Sequence, residues 1–225
     1  MPWGDLRSYR GNAMKKVAIW NFDVSTVMTY GTHFVSGPPP FPPDFTYEPW
    51  HYAIVMLEEF LHHSRACCGF VSIVGPDWAG ASAHFEPCAD PDDILHWIRD
   101  EKMAPSGWFE WELGMTAGLD MAKRVLRDEP DADVRLFVVN RGPIMDDEIA
   151  RTDNFISRAR DLNVKVNVVP MGNEPGRWYF PNLRDLTRLA QGTGGKVYYH
   201  QAEDEYDFSH LPRLAGEMIV DFWNG

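Results

Sequence analysis

The chain has 225 residues, 44% of them hydrophobic, which is enough apolar side chain to fill a core and excludes disorder as its main state. Thirty-three acidic against 21 basic residues leave a formal charge of −12, which repels a nucleic-acid backbone and an anionic membrane surface alike. No run approaches the roughly 18 apolar residues of a membrane helix, and the opening MPWGDLRSYRGN lacks the apolar stretch of a secretory leader, so a cytosolic protein is expected.

Residues 1–13 are polar and read as a loosely attached arm, and residues 14–225 read as one domain, because no composition shift, linker or repeat divides them. The run Val17 to Phe22 is expected to be a buried strand. Six prolines between Pro38 and Pro49 then forbid a helix or a central strand, so 29–49 is expected to be a stiff loop insertion. Ala53, Met56, Leu57, Phe60 and Ser64 lie on one face of a helix, followed by a strand from Cys68 to Val74. Turn chemistry at Gly75-Pro76-Asp77 introduces an edge hairpin strand over 79–88, and Asp90 opens a short helix reaching Asp100.

The next helix is expected to start at Ser106-Gly107 and to carry Met115, Leu119, Ala122 and Leu126 inward until Pro130 stops it. A strand over 134–139, a helix opened by Asp146-Asp147 and a strand over 164–169 follow. A helix marked by Leu183, Leu186 and Ala190 then ends at Gly194-Gly195, a strand spans 196–200, and Leu211, Leu214, Ala215, Met218 and Phe222 line a closing helix. Nearly continuous apolar strands alternating with amphipathic helices imply a doubly wound α/β fold: a mostly parallel sheet, one antiparallel edge strand, helices on both faces. Cys67, Cys68 and Cys88 lack zinc spacing or a disulfide framework and are read as small unpaired core residues.

Ligand sites of such sheets lie beyond the carboxyl ends of the strands, which here carry Asp23 and Ser25, then Asp77, then Asn140 and Arg141 with Asp146 and Asp147 beyond, then Met171 and Asn173. Of the nine tryptophans, Trp50, Trp78, Trp108, Trp111 and Trp178 fall near those ends, and with Phe41 of the Pro-rich loop they suggest a protein-facing aromatic patch. The eight histidines show no metalloprotease spacing, and Gly192 to Lys196 follows a helix rather than a strand, which rules it out as a phosphate loop. No small-molecule substrate is expected.

The Asp23-x-Ser25 phrase after the first strand, the run Arg158 to Gly172 and the tail Leu183-x-x-Leu-x-x-Leu-Ala-x-x-Thr-Gly-Gly-Lys-Val-Tyr-Tyr resemble the von Willebrand factor A domain family over roughly residues 15–223. The resemblance implies a Mg²⁺ site built from Asp-x-Ser-x-Ser, a loop Thr and an Asp after the fourth strand, in which a partner carboxylate completes the shell. Asp23 and Ser25 match, whereas Val27 and Leu113 fill two of the remaining ligand positions and Asn140-Arg141 stands where the last Asp is expected. Asp146, with Asp147, Glu110 and Glu112, is a substitute carboxylate. Members of the family with such degenerate sites act without metal as scaffolds, as in the ubiquitin-receptor subunit of the proteasome and subunits of a general transcription factor. The resemblance therefore implies a non-catalytic module without a cofactor that binds another protein through the strand-end face, Asn140 and Arg141 included. Mg²⁺-dependent binding through Asp23 and Ser25 is the alternative. A haloacid-dehalogenase-like phosphatase, with Asp23 as nucleophile, is disfavoured because Ser25 stands where that chemistry needs a second carboxylic acid.

Overall fold

The computed structural model of the chain describes residues 15–24, 49–73, 83–101, 110–141, 151–171, 183–199 and 211–225. Its strands are β1 (Lys16–Phe22), β2 (Cys67–Ser72), β3 (Ala83–Phe85), β4 (Asp133–Asn140) and β5 (Lys165–Pro170). The helices are α1 (Pro49–His63), α2 (Pro91–His96, continued by a π-helical turn Trp97–Glu101), α3 (Trp111–Asp128), α4 (Thr152–Asp161), α5 (Leu183–Thr193) and α6 (Leu211–Asn224). The sheet order is β3-β2-β1-β4-β5, with β3 antiparallel to β2 and every other pair parallel. This is the expected doubly wound α/β architecture.

Alternation along the strands splits the apolar side chains between two cores. Ala18, Trp20 and Phe22 of β1 face α1 and α6, where Trp20 stacks on Phe137 at 4.9 Å and meets Phe60 edge-on at 5.0 Å. Val17 and Ile19 face the other side, against Met115, Leu119 and Ala122 of α3, Phe155 and Ala159 of α4, and Leu186 and Leu189 of α5. The α5 exit uses two glycines differently. Gly194 takes a left-handed φ of +74°, and a side chain at Gly195 would run into the Val166 carbonyl, which a Cβ would approach to 2.0 Å. Instead of the strand expected over 196–200, a single parallel bridge joins Val197 to Val168 among the described residues, since the Lys196 N–H is taken by Asn167 Oδ1 at 2.9 Å.

The cysteine reading is corrected by the structure. Cys67 and Cys88 form a disulfide, and only Cys68 is a buried free thiol. The reason lies in the register: Phe70 pairs with Phe85 in antiparallel β3, and carrying that pairing three residues further sets Cys67 opposite Cys88. Neighbouring strand residues point to opposite faces, so adjacent Cys68 goes into the α1 core while Cys67 turns away from it. Disulfides persist mainly in oxidising compartments, so the bridge lends no support to the cytosolic expectation. Among the described residues no helix is long and apolar enough to cross a membrane.

At the amino ends of the strands, cations from three strands close the last turn of α6. Lys16 Nζ donates to the Phe222 carbonyl at 2.7 Å, Arg135 Nη1 to that of Asp221 at 2.9 Å, and Lys165 Nζ to that of Gly225 at 3.0 Å. The Phe222 carbonyl is one of those a helix end leaves unsatisfied, the Asp221 carbonyl also accepts the Gly225 N–H at 3.0 Å, and Gly225 lies just past the helix, where positive charge is favoured. Asp133 balances the charge, accepting from Arg135 Nη2 at 3.0 Å and Lys16 Nζ at 3.2 Å. Burial alone would raise its pKa, but the bonds and charge of Arg135 and then Lys16 outweigh it and hold the carboxyl below its ordinary value. A carboxylate depressed on folding stabilises fully above its unfolded pKa, and that stabilisation disappears as pH falls through the folded value. The urea midpoint is accordingly expected to fall below roughly pH 4, with part of that fall absent in Asp133→Asn; an identical acid limb in the variant would refute the assignment.

Candidate functional site at the strand carboxyl ends

The parallel strands bring their carboxyl ends to one side, and β1 and β4 are adjacent there although far apart in sequence. Sheets of this class place their ligand crevice where the strand order reverses in this way. Asp23 follows β1 directly, and its N–H donates to the Val139 carbonyl at 2.9 Å, extending the ladder by one rung. The residue is fully buried, and Oδ2 accepts the main-chain N–H of Arg141 at 3.0 Å. Arg141, equally buried, donates through Nη1 to the Met171 carbonyl at 3.2 Å, while the Met171 N–H donates to the Asn140 carbonyl at 2.9 Å. One carboxylate and one guanidinium thus tie the ends of β1, β4 and β5 together inside the protein.

The surroundings are unusually polar for a core. Asn21, Asn140, Ser72, Thr152 and Trp111 are all buried, and each holds a side-chain polar atom with no hydrogen-bond partner among the described residues. By strand alternation Asn21 and Asn140 lie on the sheet face that carries α3 and α4. Those two helices start at this end, where Glu112 of α3 pairs with Arg151 just before α4. Buried polar side chains thus gather at the carboxyl ends of β1, β2 and β4 and at the starts of α3 and α4.

A divalent ion of the kind implied by the family resemblance needs several hard oxygen ligands and a surplus of negative charge. At the described residues the fit fails: one oxygen of Asp23 is taken by a main-chain donor, and a buried guanidinium supplies the positive charge next to Asn140. Among the described residues no three acidic, His or Cys side chains gather as a metal-binding group. Ser25 and Asp146 lie outside the described residues, as do Phe41, Trp78, Trp108 and Trp178.

Of the residues read from sequence as partner-contacting, the structure brings Asn140 and Arg141 together with Asp23, but buries all three. Trp50 and Trp111 are corrected: each begins a helix at this end, yet their rings belong to the two cores, one on either side of the sheet. Their positions coincide with the inward stripes of α1 and α3, and burial of a large ring there outweighs its exposure. Leu113, read as the residue standing in for a ligand Thr, is instead 52% exposed on the first turn of α3. Asn21 and the Met171 carbonyl were not identified from sequence. Asn21 was visible as the one polar residue within an apolar strand, whereas a backbone carbonyl leaves no trace in residue type.

The sequence matches no protein-family model and no curated protein. Solved structures do resemble the fold. A von Willebrand factor type A protein from Catenulispora acidiphila superposes with a TM-score of 0.60 at 15% identity, over 93% of this chain and 43% of that one. The TFIIH p34 N-terminal domain gives 0.58 at 8% identity over 88% of this chain and 97% of its own. The PilB minor pilin from Streptococcus sanguinis gives 0.52 at 12% identity over 96% and 64%. The chain thus spans less than half of the first of these proteins and nearly all of the p34 domain. At such identities the likeness is one of architecture: a mostly parallel, doubly wound sheet of the von Willebrand factor A type.

Proposed function

We propose that the protein is a non-catalytic module that binds another protein through the strand carboxyl-end face, without a divalent ion in the contact. The observation that carries this reading is the buried tie of Asp23, Arg141 and Met171. It buries the carboxylate that follows β1, Asp23, away from any substrate or ion, and gives that end a fixed floor. From this floor the chain departs after Val24, Ile73, Arg141 and Met171 into segments that contain Phe41, Trp78, Asp146 and Trp178. Leu113 adds an exposed apolar side chain at the same end. Protein-binding surfaces are typically built in this way, with recognition residues on connections held by a rigid scaffold. Architecture shared with von Willebrand factor A domains is in keeping with this role.

The test is site-specific photocrosslinking in the source cells. Crosslinking residues placed at Leu113, Phe41, Trp78 and Trp178 are expected to trap one and the same protein, with yields unchanged by chelator. Positions Asp128 and Asp131, exposed at the opposite end, are expected to trap none of it. Equal trapping from both ends would refute the placement of the surface, and loss of trapping with chelator would restore the ion-dependent alternative.

A further inference from the structure

Four side chains at the carboxyl end of the sheet, Asn21, Asn140, Trp111 and Thr152, are each at most 1% exposed and hold a polar atom with no hydrogen-bond partner among the described residues. They share one side of the sheet. Asn21 continues the alternation of Val17 and Ile19 in β1, and Asn140 that of Leu136 and Val138 in β4. Trp111 belongs to the same core, and Thr152 lies one turn before Phe155 and Ile156 of that core. Asn21 is in register with Val138, so Asn140 is the next residue of β4 on that face, about 8 Å away between Cα atoms by strand spacing and rise. Asn21 leaves both amide atoms unpartnered, so the two amides do not bond each other. Both helices start here without a side-chain cap from Glu110 or Arg151, and their first N–H groups look outside the helix for partners.

The chemistry of these atoms selects what can meet them. Trp111 Nε1 and Asn21 Nδ2 donate, Asn21 Oδ1 and Asn140 Oδ1 accept, and the Thr152 hydroxyl does either. An anion satisfies the donors and opposes the acceptors, a cation does the reverse, and an apolar group meets neither. Only a neutral molecule that both donates and accepts serves the whole set. Water is the smallest such molecule, and it makes about three hydrogen bonds to buried polar groups of this kind. We infer that the corner between the sheet and the starts of α3 and α4 is an internal hydration site. Ordered water bridges Asn21 to Asn140 and reaches Trp111 Nε1 and Thr152 Oγ1, joining two strands and two helices that these side chains do not join directly. Ser72, on the alternation of Phe70, falls on the opposite face and takes no part. The site uses neither a partner protein nor Asp23 or Arg141, so crosslinking and hydration fail separately.

The experiment starts with the unaltered chain, isotope-labelled for NMR. The Trp111 indole N–H, assigned by its loss in Trp111→Phe, is expected to show a cross-peak to a long-lived water, with opposite signs in NOE and rotating-frame spectra that separate it from hydrogen exchange. Absence of such a water at this proton overturns the inference. Magnetic relaxation dispersion of the solvent then counts long-lived waters in wild type and Asn21→Leu, a variant of nearly the same shape. The variant is expected to lose the amplitude of at least one water. An unchanged amplitude, as a dry unpaired amide would give, overturns the inference. Should Asn21→Leu fail to fold, Thr152→Val makes the same comparison with the same two outcomes.

Discussion

Reduction of the Cys67–Cys88 bridge is expected to lower the thermal midpoint by roughly 6–12 °C. The two cysteines are 21 residues apart, and freeing a loop of that length returns about 3 kcal/mol of chain entropy to the unfolded state. The loss concentrates at the sheet edge, because β3 has only three residues and pairs with β2 alone. The neighbouring thiol does not rescue or scramble the bridge: burial drives the Cys68 pKa up to about 12, and the Ser64 hydrogen bond lowers it only in part. Exchange needs a thiolate. Mass spectrometry after alkylation of the native protein at pH 8 is therefore expected to show no label before reduction, two after it, and the third only on unfolding. Labelling of Cys67 and Cys88 without reductant would contradict the bridge, and a midpoint unmoved by its removal would contradict its structural role.

Arg135→Ala is expected to cost about 3–5 kcal/mol, the range for removing one partner of a buried ion pair. Arg135 is only 4% exposed and makes three contacts on two elements: it bonds Asp133 on its own strand, donates to the Asp221 carbonyl of α6, and lies 5.2 Å over the Phe222 ring of the same helix. Its loss leaves Asp133 to Lys16 alone and opens the last turn of α6, which packs along α1. Arg135→Lys keeps the charge but cannot donate in a fork to Asp133 and Asp221 together, so a smaller loss is expected. Urea unfolding measures both. A loss in Arg135→Ala below 1 kcal/mol would show that the pair is no better than an exposed one.

Much of this architecture is legible in residue order. The β1 run Val17 to Phe22 is too continuously apolar for a strand with a wet face, and the periodic Ala53, Met56, Leu57, Phe60 places α1 against it; all of these are buried. What sequence concealed was pairing across distance. The strands over 67–72 and 83–85 were both visible, but the Cys67–Cys88 bridge follows only once their register is fixed. Trp50 and Trp111 showed the opposite difficulty: a large aromatic at a helix start suits a core edge and a binding patch equally well in sequence, and packing decided for the core. At the strand ends Arg141 was legible as a positive charge replacing an expected carboxylate. Its main-chain bond to Asp23 and its reach to a carbonyl 30 residues away belong to tertiary structure and leave no mark in composition.

Whether the strand-end face works without an exchangeable ion is tested most directly by titrating chelator-stripped wild type with Mg²⁺, Mn²⁺ and Ca²⁺ while following heat release and thermal midpoint. An ion-free face predicts no saturable heat and no change in midpoint with any of the three. A bound ion at a hundredfold excess over its Kd would stabilise by about 2.7 kcal/mol, raising the midpoint by roughly 5–10 °C. Such a rise, lost in Asp23→Ala, would contradict the ion-free face.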